Sequence, residues 1–165
     1  MKDLGLLHYF LGLQITYVPN GGLFLSQTKY ASEILQKAGM LDCNASITPC
    51  LPNSKLLRDE GAPFIDIKTY RSIVGCLQYL TFTRRPDIAY NVNSVCQFMQ
   101  APTDVHFLAV KRILRYVKGT LNYGVTFRRA PLELKAYTDS DWAGNPNDKR
   151  STTGLVIFLG NCPIS

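Results

Sequence analysis

The sequence predicts an α+β fold: a β-hairpin with one helix, then a central helical bundle, then the first strands of an incomplete sheet. Three observations predict it. The turn residues Pro19-Asn20-Gly21-Gly22 separate two apolar runs. Between 66 and 118, apolar side chains recur every three to four residues, and after Gly119 short apolar strands return. With 165 residues and 46% hydrophobic content, the chain can bury a core and fits one domain or two small pieces. The boundaries fall at 1–39 (hairpin and helix), 40–65 (long loop), 66–130 (basic helices) and 131–165 (terminal strands).

Residues 6–17 are rich in leucine and aromatics, and Leu23-Phe24-Leu25 resumes the run after the turn, which reads as a hairpin. Ser26 or Thr28 is placed to cap a helix over 29–38, with Tyr30, Ala31, Ile34, Leu35 and Ala38 inward and Gly39 as its stop. Residues 40–65 hold Pro49, Pro52 and Pro63 and show no period, so they should cross the surface as a tether. A helix over 66–81 carries the stripe Tyr70, Val74, Leu77 and Thr81, and Arg84-Arg85-Pro86 interrupts it. Pro86 and Asp87 open the next, with the stripe Ile88, Val92, Val95 and Met99. Pro102-Thr103-Asp104 starts a helix ending at Gly119, with Ala109, Ile113, Tyr116 and Val117 on one side. Strands are expected over 123–129, 134–141 and 152–159.

The net charge of +6 is unevenly spread. Residues 1–65 hold five basic and five acidic side chains, 66–129 hold ten and three, and 130–165 hold three and four. A basic centre between near-neutral flanks suits an anionic partner, of which nucleic acid is the commonest. Lys111, Arg115 and Lys118 share one side of the last helix, where like charges repel by a few tenths of a kcal/mol per pair unless an anion lies along them. A solvated helix face is the plainer reading of the same stripe. Five scattered cysteines (Cys43, Cys50, Cys76, Cys96 and Cys162) form no C-x-x-C pair and read as idle or buried thiols. His8 and His106 stand apart, which favours core or surface roles. The sequence shows no basic-flanked leader and no spanning apolar stretch, so an intracellular chain, cytoplasmic or nuclear and not membrane-bound, is expected.

Asp139 and Asp141 stand at i and i+2, which on a strand sets both carboxylates on one side. Magnesium takes carboxylate oxygen, and two-metal phosphodiester cleavage needs more carboxylates than this pair. A bare D-x-D is most often a strand end or turn.

Longer motifs carry a more specific signal. Lys2-Asp3-Leu4-Gly5 with His8-Tyr9-Phe10-Leu11-Gly12, Leu25-Ser26-Gln27-Thr28-Lys29-Tyr30, Tyr70-Arg71-Ser72-Ile73-Val74-Gly75, Arg84-Arg85-Pro86-Asp87-Ile88, Lys111-Arg112-Ile113-Leu114-Arg115-Tyr116 and Tyr137-Thr138-Asp139-Ser140-Asp141-Trp142-Ala143-Gly144 follow in one order over nearly the whole chain. In these runs the chain resembles the Pol polyprotein of copia-type long-terminal-repeat retrotransposons, at the end of reverse transcriptase and the start of ribonuclease H. The resemblance implies that 1–39 is the palm-to-thumb edge, 66–130 the thumb and connection, and 131–165 the opening of a ribonuclease H-like sheet. It implies Asp139 as the first ribonuclease H metal ligand, Asp141 as a weaker candidate, and magnesium as the cofactor of the intact parent enzyme, with no tight binding by this chain alone. Leu6 stands where the family has an acid. The paired aspartates of the polymerase belong before Met1, on a palm domain this chain would lack as a partner, and the nuclease glutamate belongs after Ser165. The expectation is therefore a non-catalytic fragment with weak affinity for an RNA/DNA primer-template duplex through Arg84, Arg85, Lys111, Arg115 and Lys118. The alternative is a host-recruited structural or interaction module with no nucleic-acid role.

Overall fold

Two stretches far apart in sequence meet in one antiparallel sheet. β1 (Tyr9–Phe10), β2 (Leu13–Val18) and β3 (Gly22–Ser26) follow one another, and β4 (Gly124–Phe127) pairs with β3 from Leu23↔Phe127 to Ser26↔Gly124. The structure is a computed structural model describing residues 5–19, 21–52, 54–83 and 85–164, without the side chain of Thr83. Asn20 of the anticipated turn and Arg84 lie outside the described residues. β2 and β3 pair from Gln14↔Ser26 to Val18↔Gly22, as the turn chemistry predicts.

Residues 6–17 are not one strand. Leu11 and Gly12 both take positive φ (48° and 78°) and fold Phe10 back on Leu13. A two-residue turn of this hand suits the right-handed twist of paired strands, and the Leu-Gly pair hid it because leucine rarely adopts this backbone.

Among the described residues, four helices lie in the second structural unit, within 27–123, and the first unit joins the described parts of 1–26 and 124–165. α1 (Thr28–Lys37) starts without a side-chain cap at Gln27, correcting the expected Ser26 or Thr28 cap. Thr28 Oγ1 instead donates to the Leu121 carbonyl (3.0 Å). At the other end Gly39 takes φ 65° and its N–H bonds the Gln36 carbonyl, ending the helix as expected. α2 (Ile67–Thr83) buries Tyr70, Ile73, Val74, Leu77 and Leu80. Thr81 is only half-buried, and its hydroxyl turns back to the Gln78 carbonyl. Pro86–Ile88 forms a 3-10 turn that leads into α3 (Ala89–Cys96), where Ile88, Val92 and Val95 are buried. The buried Tyr70 phenol donates to the Val95 carbonyl (2.8 Å) and locks α2 to α3.

α4 (Asp104–Gly119) buries His106, Val110, Ile113, Leu114 and Val117. Ile113 and Val117 are buried as expected, but Val110 and Leu114 take the core places expected of Ala109 and Tyr116, which sit at its margin. Among the described residues of 40–66 there is no helix or regular strand, as the prolines predict. The segment is strapped to α4: Ser46 N–H donates to the Arg115 carbonyl (3.1 Å), and Phe64 stacks on Phe107 (centroids 4.3 Å apart).

A second antiparallel sheet follows, in the order β5 (Leu134–Ser140), β6 (Thr153–Leu159), β7 (Cys162–Pro163). Gly160 at φ 59° turns the chain between β6 and β7. Among the described residues, no helix is long and apolar enough to cross a membrane.

Candidate nucleic-acid interface and carboxylate pair

The basic side of α4 exists because the helix starts where it does. Thr103 Oγ1 accepts from His106 N–H (3.4 Å) and His106 Nδ1 accepts from Thr103 N–H (2.9 Å), a reciprocal capping box. With Nδ1 an acceptor, the ring proton sits on Nε2, which lies 3.0 Å from the Leu57 carbonyl and donates to it. The ring stacks on Phe98 (3.7 Å), and burial pushes its pKa below the ordinary histidine value. His106 is thus a structural cap in the core.

From this start, Lys111 falls exposed, and Arg115 and Lys118 half-buried, away from the buried stripe. The Lys111 ammonium stands 5.1 Å from the Phe107 ring centre, which orients it without neutralising it. The Arg115 Nε donates to the Asn44 carbonyl (2.7 Å). Arg112, on the adjoining side, turns to Thr48 Oγ1 (2.8 Å). The structure therefore brings three of the five expected cations onto one helix.

Arg85 goes elsewhere. It is 2% exposed, ion-paired to Asp87 (2.8 Å), bonded to the Thr120 carbonyl (3.1 Å) and hydroxyl (2.6 Å), and flanked by the Tyr116 and Tyr123 rings. Its charge ties the start of α3 to the end of α4 and is not presented to solvent; a two-residue Arg-Arg run gave no hint that its second member turns inward. Two cations that sequence reasoning passed over, Lys37 and Lys68, line a cleft of about 300 Å³ with Thr69, Ser72 and Ile73. They come from separate helices, so no local pattern marks them.

The carboxylates stand at one end of the second sheet. Asp139, on β5 opposite Gly154, accepts from Ser140 N–H (2.9 Å) and is exposed. Asp141 lies just past the strand, where its Oδ1 accepts from Thr152 N–H (2.6 Å) and its carboxylate fills the space a Cβ at Gly144 would take. Asp141 therefore shapes the β5–β6 connection, which explains the glycine. Among the described residues no three His, Cys, Asp or Glu side chains are grouped to hold a metal ion. Asp139 and Asp141 alone do not make a magnesium cage.

The chain is similar to an uncharacterized mitochondrial protein of Arabidopsis thaliana, AtMg00810, with 55% identity over 161 residues, 97% of this chain and 66% of that protein. It is similar to the retrovirus-related Pol polyprotein from transposon RE1 of the same plant (47% over 166 residues, 100% of this chain, 11% of the polyprotein). The corresponding polyprotein from transposon RE2 is 46% identical over 160 residues, 96% of this chain and again 11% of the relative. No family model matches the chain, and no solved structure matches it.

Proposed function

Because the chain belongs to the Pol polyproteins of copia-type retrotransposons, we propose that it is a segment spanning the end of reverse transcriptase and the start of ribonuclease H. On this reading it performs no catalysis alone and holds primer-template duplex by its phosphates. Magnesium and the palm domain belong to the intact polyprotein.

The observation that carries the binding role is the placement of Lys111, Arg115 and Lys118 on α4, directed away from the core and without acidic partners in its last three turns. Such a face meets phosphate without reading sequence. Lys37 and Lys68 supply a second cationic spot. Replacing Lys111, Arg115 and Lys118 together with glutamine should weaken binding to an RNA/DNA hybrid about ten-fold or more, and flatten the log–log salt slope by roughly two to three units. Fluorescence anisotropy over a salt series reads both, and equal affinity and slope in the variant would remove this face from consideration.

One observation favours the interaction-module reading: all seven residues of β5 are exposed, with Leu134 and Tyr137 among them. Size-exclusion chromatography with and without duplex separates assembly through that sheet from nucleic-acid binding.

A further inference from the structure

The guanidinium edge formed by Nε and Nη2 is filled at one arginine and half filled at another. At Arg85 it meets both oxygens of Asp87, with Nε donating to Oδ1 (2.9 Å) and Nη2 to Oδ2 (2.8 Å). This is the two-point match that a guanidinium makes with an oxyanion. At Arg112 on α4, Nη2 donates to Thr48 Oγ1 (2.8 Å), while Nε is buried without a hydrogen-bond partner among the described residues. One neutral hydroxyl stands where the fork can take two oxygens and a negative charge. A buried donor left unmatched on a charged group is destabilising, and a further acceptor brought to Thr48 would satisfy it.

Thr48 is the residue that can acquire that acceptor. Of the nine prolines, Pro49 alone follows a serine or threonine, so Thr48-Pro49 is the chain's single candidate for a kinase that selects a hydroxyl before proline. The pair lies in the tether, where the described residues of 40–66 form no helix or regular strand and proline favours an extended residue before it. An extended, accessible segment is what a kinase groove takes up. Ile47 is 93% exposed, and Cys50 and Leu51 are exposed as well. The segment is anchored upstream, where Arg115 Nε donates to the Asn44 carbonyl (2.7 Å) and Ser46 N–H to the Arg115 carbonyl (3.1 Å). Thr48 meets α4 through its side chain, so its hydroxyl can lift away while the anchors at Asn44 and Ser46 stay in place.

We propose that Thr48 is a phosphorylation site for a proline-directed serine/threonine kinase, and that the phosphothreonine docks on the Nε and Nη2 edge of Arg112. In the transfer, Thr48 Oγ1 attacks the γ-phosphorus of ATP, the bond from that phosphorus to the β,γ-bridging oxygen breaks, ADP leaves, and the hydroxyl proton passes to a carboxylate of the kinase. The product brings the terminal phosphoryl oxygens and a charge of about −2 to a place that held one hydroxyl. One of these oxygens takes over the Nη2 bond and another meets Nε, giving Arg112 the match that Asp87 gives Arg85. The modified segment is thereby pinned to α4 by a charged pair.

The full 165-residue chain, incubated with a proline-directed kinase and magnesium ATP, should take up one phosphoryl group, placed at Thr48 by mass spectrometry of its peptides. Phosphorus NMR across a pH series then reads the docking. The second ionisation of the phosphate, about 6 in an open chain, should fall by about half a pH unit or more in the folded chain relative to a phosphorylated peptide of residues 44–52, because the guanidinium favours the dianion. Phosphorylated Arg112→Gln should return to the peptide value, and Arg112→Lys, which keeps the charge without the fork, should fall between the two. Circular dichroism checks that each variant is folded, and the comparison of the unaltered chain with the peptide needs no variant. No phosphoryl group at Thr48, a folded-chain value equal to that of the peptide, or a value in folded Arg112→Gln as low as the parent's would each overturn the proposal. Neither reagent nor readout involves duplex, so its failure is separate from failure of the α4 interface.

Discussion

The four helices and the β5–β6–β7 sheet draw on the same kinds of apolar residue and bury them very differently. In the helical unit Ile34, Leu35, Tyr70, Val74, Leu77, Leu80, Val110, Leu114 and Val117 are all within 2% of full burial. In the sheet Leu134, Tyr137 and Leu155 are 60% exposed or more. A helix has one apolar stripe, and three others suffice to cover it. A sheet has two faces, and hydrogen bonding between strands covers neither. Regular backbone pairing and core formation are therefore separate achievements: the helices have both, while β5 and β6 have the first.

The largest effect should come from the centre of the helical unit. Leu77→Ala is expected to cost about 3 to 4 kcal/mol in urea unfolding, the range for a leucine removed from a closed core. The matching change Leu155→Ala in the sheet should cost no more than about 0.5 kcal/mol. Similar losses at the two positions would break the contrast and mean that β6 is covered in solution.

Next in size is Arg85. Removing it leaves the Thr120 carbonyl short of a donor and Asp87 without its ion partner, but the Asp87 side chain is 30% exposed and can rehydrate. Arg85→Ala should therefore cost about 2 kcal/mol, less than a fully buried pair would. The same substitution should leave the salt slope for duplex binding unchanged. A reduced slope would show that this guanidinium meets phosphate after all.

How much of this was legible in the sequence depended on whether local pattern or distant contact decided each feature. The helices were readable because Tyr70, Val74 and Leu77 recur at helical spacing, and the β2–β3 hairpin because Gly21 and Gly22 supply its turn. On α4, Ile113 and Val117 were legible as inward residues, but Ala109 stood in for Val110, since both are apolar and only packing chooses between them. The α1 cap was misplaced because Thr28 found a partner at Leu121, far along the chain. In the candidate site, α4 could be read directly from Lys111, Arg115 and Lys118. The burial of Arg85 could not, because it depends on Thr120 and two tyrosines. The role of Asp141 was hidden for a related reason: its partner, Thr152, lies across the β5–β6 connection.

Within the helical unit the smallest effect is a pH dependence at His106. Burial lowers its pKa below the ordinary 6.5, and although the Leu57 carbonyl, Glu60 and Asp104 pull the other way, burial is the largest influence. Nδ1 already accepts the Thr103 N–H, so a proton added there would set two donors against each other and open the cap. As pH falls through 6.5 the unfolded chain takes up its proton before the folded one does. Stability is therefore complete above the unfolded pKa and declines until pH passes below the folded value. His106→Gln keeps a residue that can close a capping box but cannot titrate. It should cost about 1 kcal/mol above neutrality, chiefly from the lost stacking on Phe98, and should flatten the decline in stability over the acid interval below the ordinary histidine value. Urea midpoints across that interval measure both quantities. An undiminished slope in the glutamine variant would move the titration away from α4 and leave the tether at Leu57 insensitive to acid.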